Sequence, residues 1–354
     1  MSPGVPVHEL RLAAQGLAGP PAADALAPVA RLLAVQAQDL RGARLAVRAR
    51  SAGVTAADVD AALAAGDAVV TWLNRGTLHL VCREDLPWLH ALTTPPLMTA
   101  TMRRLAQEGV DPAAADRGVA VVDRALADEG PLDRDRLRER LDRAGVPTAG
   151  QALAHVLGLA GLRGVALRGP AVPGGQAFVR WADWLGTPAP VDRASARAEL
   201  ARRYLRGHGP ASDRDLARWA GLPLRDARAG LAAVAGELIH REDGLVDLAR
   251  RAEPAGLPPP RLLGPFEPLL LGWGSRADVV GPHAGLVTMN GVFRPFAMVR
   301  GRAVGTWGVP GGRVALDLWE DVAGRTARAL ARDARAVEAF LATGAPGPGV
   351  RPDA

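Results

Sequence analysis

Residues 211–249 read ASDRDLARWAGLPLRDARAGLAAVAGELIHREDGLVDLA. Ser212, with Asp215 three residues on, makes a capping box that opens a short helix. Ala217 and Gly221 stand four apart, as a helix–turn–helix corner requires: a small residue at the crossing, then one free to take positive φ. A second short helix over 222–234 carries Leu224, Ala227, Leu231 and Val234 on one stripe. Two alternating segments then flank Asp243-Gly244, a hairpin signal. With the helical stretch 193–209 in front, the order is helix, helix–turn–helix, hairpin, which is the winged-helix layout.

The same layout occurs twice upstream. In residues 8–90, helical stretches are followed by AVVTWLNRGTLHLV (68–81), a hairpin rich in β-formers. Thr55, with Asp58 at N3, caps the helix over 55–66. In residues 112–186, three helical stretches precede GVALRGPAVPGGQAFVRWADW, whose loop at 170–175 is rich in Pro and Gly. The Pro-rich run 253–264 reads as a linker. Beyond it, LLLGW, 285–309 and RVALDLWE alternate like antiparallel strands, and 324–344 reads as a last helix. The expected fold is therefore α+β, mainly α. Three winged-helix units occupy 1–98, 99–190 and 191–252. A β-rich module with a terminal helix spans 253–343, and a disordered tail spans 344–354.

All 43 basic residues are arginine, against 37 carboxylates, and the net charge is +6. The pI near 10.9 makes nucleic acid the first partner to consider, because the guanidinium fork suits phosphate. The single cysteine excludes internal disulfides and a cysteine-built zinc cage. No His or Cys cluster suggests a metal, and no glycine-rich phosphate loop precedes a helix, so neither metal nor cofactor is expected. The start lacks a basic segment and an apolar run, and no stretch approaches the ~20 apolar residues of a membrane span. A cytoplasmic monomer without a membrane role is the simplest reading.

Residues 35–50, VQAQDLRGARLAVRAR, place Gln36 and Gln38 before an arginine-rich helix. In an extended chain the two amides share a face. Leu40, Ala43 and Val47 form the apolar stripe of the helix, and Arg41, Arg44 and Arg48 a second one. Arg44 and Arg48 are a like-charge pair one turn apart, which invites an anion between them. Asp39 is the only acid in 31–50, so a phosphodiester is the expected counter-charge. Asp39 itself is either a rival base or the N-cap of this helix.

VQAQD before an Arg-rich helix, RGTLHLV some forty residues on, then FEPLLLGW and GVFRPFAMVRGRAVGTW, resembles the AlkZ/YcaQ-type winged-helix DNA glycosylases over residues 8 to about 342. The resemblance implies a concave basic surface of tandem winged helices around duplex DNA, and a catalytic Q-x-Q pair at Gln36 and Gln38. The second position is Gln, as in the AlkZ-like branch, not Asp. Glu267 stands where the family pattern FDPLLLG has Asp.

These residues suit one chemistry. An N7-alkylated purine is already cationic and departs as a neutral base, so no acid is needed. Two amides can place a water at C1′ by orientation alone. Without lysine there is no Schiff base, so the expected activity is monofunctional hydrolysis to an abasic site, extending to bulky adducts and interstrand cross-links. Few stacking aromatics are present, which favours attack on a lesion kept in the duplex. Thr77 and His79 lie on one face of a strand as supporting candidates. Arg41, Arg44, Arg48, Arg75, Arg225, Arg228 and Arg294 are the expected DNA contacts. The alternative is a winged-helix transcription regulator without catalysis.

Overall fold

The computed structural model describes residues 5–172, 175–187, 190–252, 254, 256–288 and 291–344; apart from Gly344, the expected tail lies outside these residues. The first segment runs α1 (Val7–Ala14), α2 (Leu26–Leu32), β1 (Val35–Gln36), α3 (Leu40–Arg48), α4 (Ala56–Ala65), β2 (Ala68–Leu73), β3 (Thr77–Cys82) and α5 (Leu86–Thr93). The caps explain the breaks. Asp39 accepts from the Arg41 amide and starts α3. Thr55 and Asp58 form the reciprocal box of α4, which Gly66 ends in the left-handed conformation.

The second segment has α6 (Met98–Gln107), α7 (Pro112–Glu129), α8 (Arg134–Arg143), α9 (Ala152–Leu162), β4 (Ala166–Val172), β5 (Gly175–Arg180) and α10 (Trp181–Leu185). Two residues of the expected Pro-Gly loop, 173 and 174, lie outside the described residues. The hairpins of the first and second segments, each expected as a wing, meet edge to edge. They join one antiparallel sheet of order β1-β3-β2-β4-β5, through a Val70–Arg168 pairing. One face of this sheet buries Val35, Val70, Leu78 and Leu80 against Leu32, Ala43, Val47, Val59 and Leu63 of α2 to α4. The other buries Val69, Leu73, Val81 and Leu167 against Leu86 and Leu89 of α5 and Leu200 and Tyr204 further on. Each such aliphatic side chain contributes about 1.5–3 kcal/mol when taken out of water.

The third segment runs α11 (Arg193–His208), α12 (Asp213–Ala220), α13 (Leu224–Ala233), β6 (Leu238–His240) and β7 (Val246–Leu248). Ser212 and Asp215 cap α12 reciprocally, and Gly221 ends it at φ 66°. β6 and β7 pair around the loop holding Asp243 and Gly244. A Cβ on Gly221 would strike the Asn74 carbonyl, so the α12–α13 corner sits directly on the β2–β3 turn.

The last segment has β8 (Arg261–Leu263), α14 (Pro268–Leu271), α15 (Ala277–Val280), β9 (Phe296–Val299), β10 (Arg302–Gly308), β11 (Ala315–Leu318) and α16 (Gly324–Ala342). LLLGW is not a strand. Glu267 caps and Pro268 opens a helical turn there, because Pro at the first position needs no amide partner. The expected linker contributes β8, which pairs with β9 in a sheet of order β11-β10-β9-β8. Leu45 and Ala56 of the first segment share a core with Leu262, Val304, Val337 and Phe340. The chain is thus a mixed α/β, helix-rich fold with antiparallel sheets. None of its described helices is long and apolar enough to cross a membrane.

Candidate functional site

Gln36 ends β1, the outermost strand of the five-stranded sheet, and lies opposite His79 of β3. Val35 and Ala37 turn into the core, so alternation puts Gln36 and Gln38 on the other side. Gln36 is 7% exposed, whereas Gln38 is exposed. Each amide is fixed by a donor. Arg75 Nη2 donates to Gln36 Oε1 at 3.3 Å, and the Leu78 amide donates to Gln38 Oε1 at 3.3 Å. An amide oxygen has two lone pairs, so each glutamine keeps an acceptor site and its NH2 donors.

Gln36, His79 and Thr71 form a row across three strands. His79 Nδ1 lies 2.8 Å from the Thr77 carbonyl, which makes it the protonated nitrogen. Burial, then the charge of Arg75, lowers the His79 pKa to about 3. The imidazole is therefore neutral at physiological pH. Thr71 Oγ1, Thr77 Oγ1 and both polar atoms of the Asn74 side chain are buried without a hydrogen-bond partner among the described residues. His79, buried, thus lies beside Gln36, and Thr77, half-buried, lies two residues further along β3 on the same face.

Arg75 does not project from the hairpin tip as a phosphate contact would. It is half-buried, and its Nη1 donates to the Trp219 carbonyl at 2.7 Å while Nη2 holds Gln36. Burial, then the positive charges of Arg218 and Arg276, lowers its pKa. Arg276 lies 5.0 Å over the Phe293 ring, and Phe293 packs on Phe266 with centroids 5.9 Å apart. Phe266 has φ 53°, an uncommon conformation for a non-glycine residue and one that marks a constrained loop. Pro265, just before it, packs on Gly42 of α3. Sequence reasoning does not single out Arg218, Arg276, Phe266 or Phe293. The exposed face of α12 carries the only signal for Arg218, and nothing local joins residue 276 to residue 75.

Two more expected DNA contacts are corrected by the structure. Arg44 is buried and ion-paired with Asp60 of α4. Arg48 meets Asp333 of α16 at 2.6 Å. The counter-charge for this stripe is carboxylate, delivered by segments 16 and 285 residues away, not phosphate. Arg228 is exposed but engages Asp213 at 2.7 Å. Arg41 is half exposed, with Asp39 no nearer than 3.9 Å. Arg225 and Arg294 are exposed and meet no carboxylate among the described residues. Asp39 is the N-cap of α3, its Oδ1 2.9 Å from the Arg41 amide, so it is committed to the helix.

One group of possible metal ligands exists among the described residues: Cys82, Glu84 and Asp85, with donor atoms within 4.8 Å of one another. Its chemistry is poor for a cation. Asp85 is held by both terminal nitrogens of Arg203, at 2.8 and 2.6 Å. Burial, then Glu84 and Asp85, pushes the Cys82 thiol up to about 12, so it stays protonated.

His79 and the buried His208, whose pKa burial also lowers to about 3, make stability depend on pH. Both fold neutral, so the unfolded chain binds more protons between pH 6.5 and 3. Stability is therefore full above pH 6.5 and lost as pH falls, by about 2 kcal/mol per histidine at pH 5. Chemical denaturation at pH 8 and pH 5 should show this, and His208→Phe should shrink the difference.

Comparison with known proteins fits this fold. The family model for AlkZ-like DNA glycosylases matches residues 29–340. An interstrand DNA cross-link repair glycosylase of Streptomyces sahachiroi is 29% identical over 310 residues, covering 79% of this chain and 80% of that protein. The solved Streptomyces sahachiroi DNA glycosylase AlkZ matches with a TM-score of 0.78 and 26% identity, over 97% of each chain. On a family match that takes in most of its length, this chain belongs to the AlkZ-like DNA glycosylases.

Proposed function

We propose that the protein hydrolyses the N-glycosidic bond of N7-alkylated purines in duplex DNA, including bulky adducts and interstrand cross-links, and leaves an abasic site. The observation that carries this reading is the pair of anchored amides, Gln36 at the end of an outer strand and held by Arg75, and Gln38 just past it and held by the Leu78 amide. In this reading a water is held between the two side chains and attacks C1′ as the C1′–N9 bond breaks. The bonding pair goes to the purine and cancels its N7 charge, and the water's proton passes to solvent. No residue has to give or take that proton during the step. A neutral His79 beside Gln36 is consistent with this, because it adds no charge against the oxocarbenium-like sugar.

Arg41, Arg218, Arg225, Arg276 and Arg294 are the side chains proposed to meet phosphates. The winged-helix units 1–98, 99–190 and 191–252 are proposed to form the concave surface, with 253–343 behind them. The chain holds no lysine, so an imine through a lysine side chain, and strand cleavage by that route, is closed to it. The protein is proposed to act as a monomer and without a metal or cofactor.

An abasic-site assay tests the reading. Duplexes carrying N7-methylguanine, or an N7-linked interstrand cross-link, should yield alkali-labile abasic sites without prior strand breaks. An undamaged duplex should yield none. Failure on both lesions would refute it.

A further inference from the structure

A second cationic surface lies away from the glutamines. A cleft of about 730 Å³ opens between the α1–α2 connection, α11 and the strand end at Leu248–Arg251. An adjoining cleft of about 540 Å³ shares Gly16, Pro20, Arg31 and Arg206 with it and reaches Glu84. Gln36 pairs with His79, and β3 runs on from there by about 10 Å, at about 3.3 Å per residue, to Cys82, before the turn that carries Glu84.

Some arginines of this cleft are paired: Arg202 is tied to Glu237 and Glu199, and Arg251 to Asp247. Arg31, Arg206 and Arg250 are different. All three are exposed to the cleft, and no described carboxylate lies within ion-pair distance of any of them. Among the described residues, Arg31 donates only to the Ala14 carbonyl, at 3.4 Å. Burial lowers its pKa, and the charges of Arg251, Arg206 and Arg50 lower it further. The room for its side chain comes from Gly16, where a Cβ would lie 3.0 Å from Arg31 Cδ. Uncompensated like charges around one hollow are unfavourable unless an anion answers them. The two lobes run on from each other, which suits a polymer backbone better than a single small anion.

We propose that Arg31, Arg206 and Arg250 form a second phosphodiester-binding surface that grips duplex DNA away from the lesion. It rests on the proposed function only for the identity of the polyanion. The test is binding of an undamaged duplex of ~30 base pairs to the full chain, across a salt series. Replacing Arg31, Arg206 and Arg250 together by Ser should raise Kd tenfold or more at low salt. It should flatten the log K against log[salt] slope by about 2.7, at about 0.9 for each phosphate that the variant leaves unneutralised. Single-turnover excision at saturating lesion duplex should stay at the wild-type rate. A control replaces Arg103, Arg117 and Arg124, exposed arginines of α6 and α7, by Ser. An unchanged slope in the first variant, or an equal fall in the control, overturns the proposal. So does loss of stabilisation by inorganic phosphate with duplex affinity intact, which would mark a small-anion site. A wild-type protein that excises nothing, while the variant still shows the flattened slope, would refute the catalytic reading and leave this one standing.

Discussion

Alanine at Gln36 or at Gln38 is expected to slow single-turnover excision of N7-methylguanine by about 10²–10³-fold, the few kcal/mol that orientation of one water supplies. The double variant should be little slower than the worse single one, since on this proposal both amides hold the same water. Affinity for undamaged duplex and its salt slope should not move, because an amide neutralises no phosphate. The two positions differ in stability. Gln38 is exposed and costs little when truncated, whereas Gln36→Ala strands one donor of the half-buried Arg75 and should cost about 1–3 kcal/mol. Gln38→Asp separates the mechanisms. A carboxylate there would act as a base, and its excision rate would fall below its pKa, while the wild type stays flat from pH 6 to 8. Undiminished excision by both alanine variants removes the proposed roles.

Much of this site is legible in the sequence because its parts are local. Q-x-Q alternation, the Asp39 cap and the hairpin signal at 68–81 each depend on a few neighbouring residues. The arginine stripe misleads for the opposite reason. A charge stripe on one helix says which way it points, but not what waits there. Arg44 finds Asp60 and Arg48 finds Asp333, and only the folded chain brings those acids near. The fold shows the same division. The capping boxes at Thr55 and Ser212 and the corner at Gly221 set the helices as read. The joining of two hairpins into one sheet rests on Val70 meeting Arg168, a pairing with no local signature.

The largest loss of stability should come from Glu267. Its Oε1 lies 2.6 Å from Arg50 Nη2, with side-chain exposures of 0% and 1%. Arg50 also donates to the Gln15 side chain and to the Gln15 and Ala46 carbonyls. This knot ties the end of α3 to the loop that carries Phe266. Glu267→Ala leaves a buried guanidinium without its anion and should cost about 3–5 kcal/mol. For a chain of this length that is a fall in Tm of about 5 °C. Replacing Arg50 by Met and Glu267 by Leu together should recover much of it, because neither then buries an unpaired charge. Glu267→Asp shortens the arm and should fall between. A Glu267→Ala protein that melts like the wild type would show that the pair contributes nothing net.

The outermost place of β1 has a consequence for what the protein can accept. Gln36 is nearly buried there while Gln38, just past the strand end, is exposed, so on the proposed reading a modified nucleotide would reach the pair from the Gln38 side. An approach from that exposed side would leave room for a large appended group. On the proposed reading, a lesion that fastens one strand to the other would not have to be pulled apart to reach the water, and selection would fall on the weakness of the bond instead of on the girth of the base.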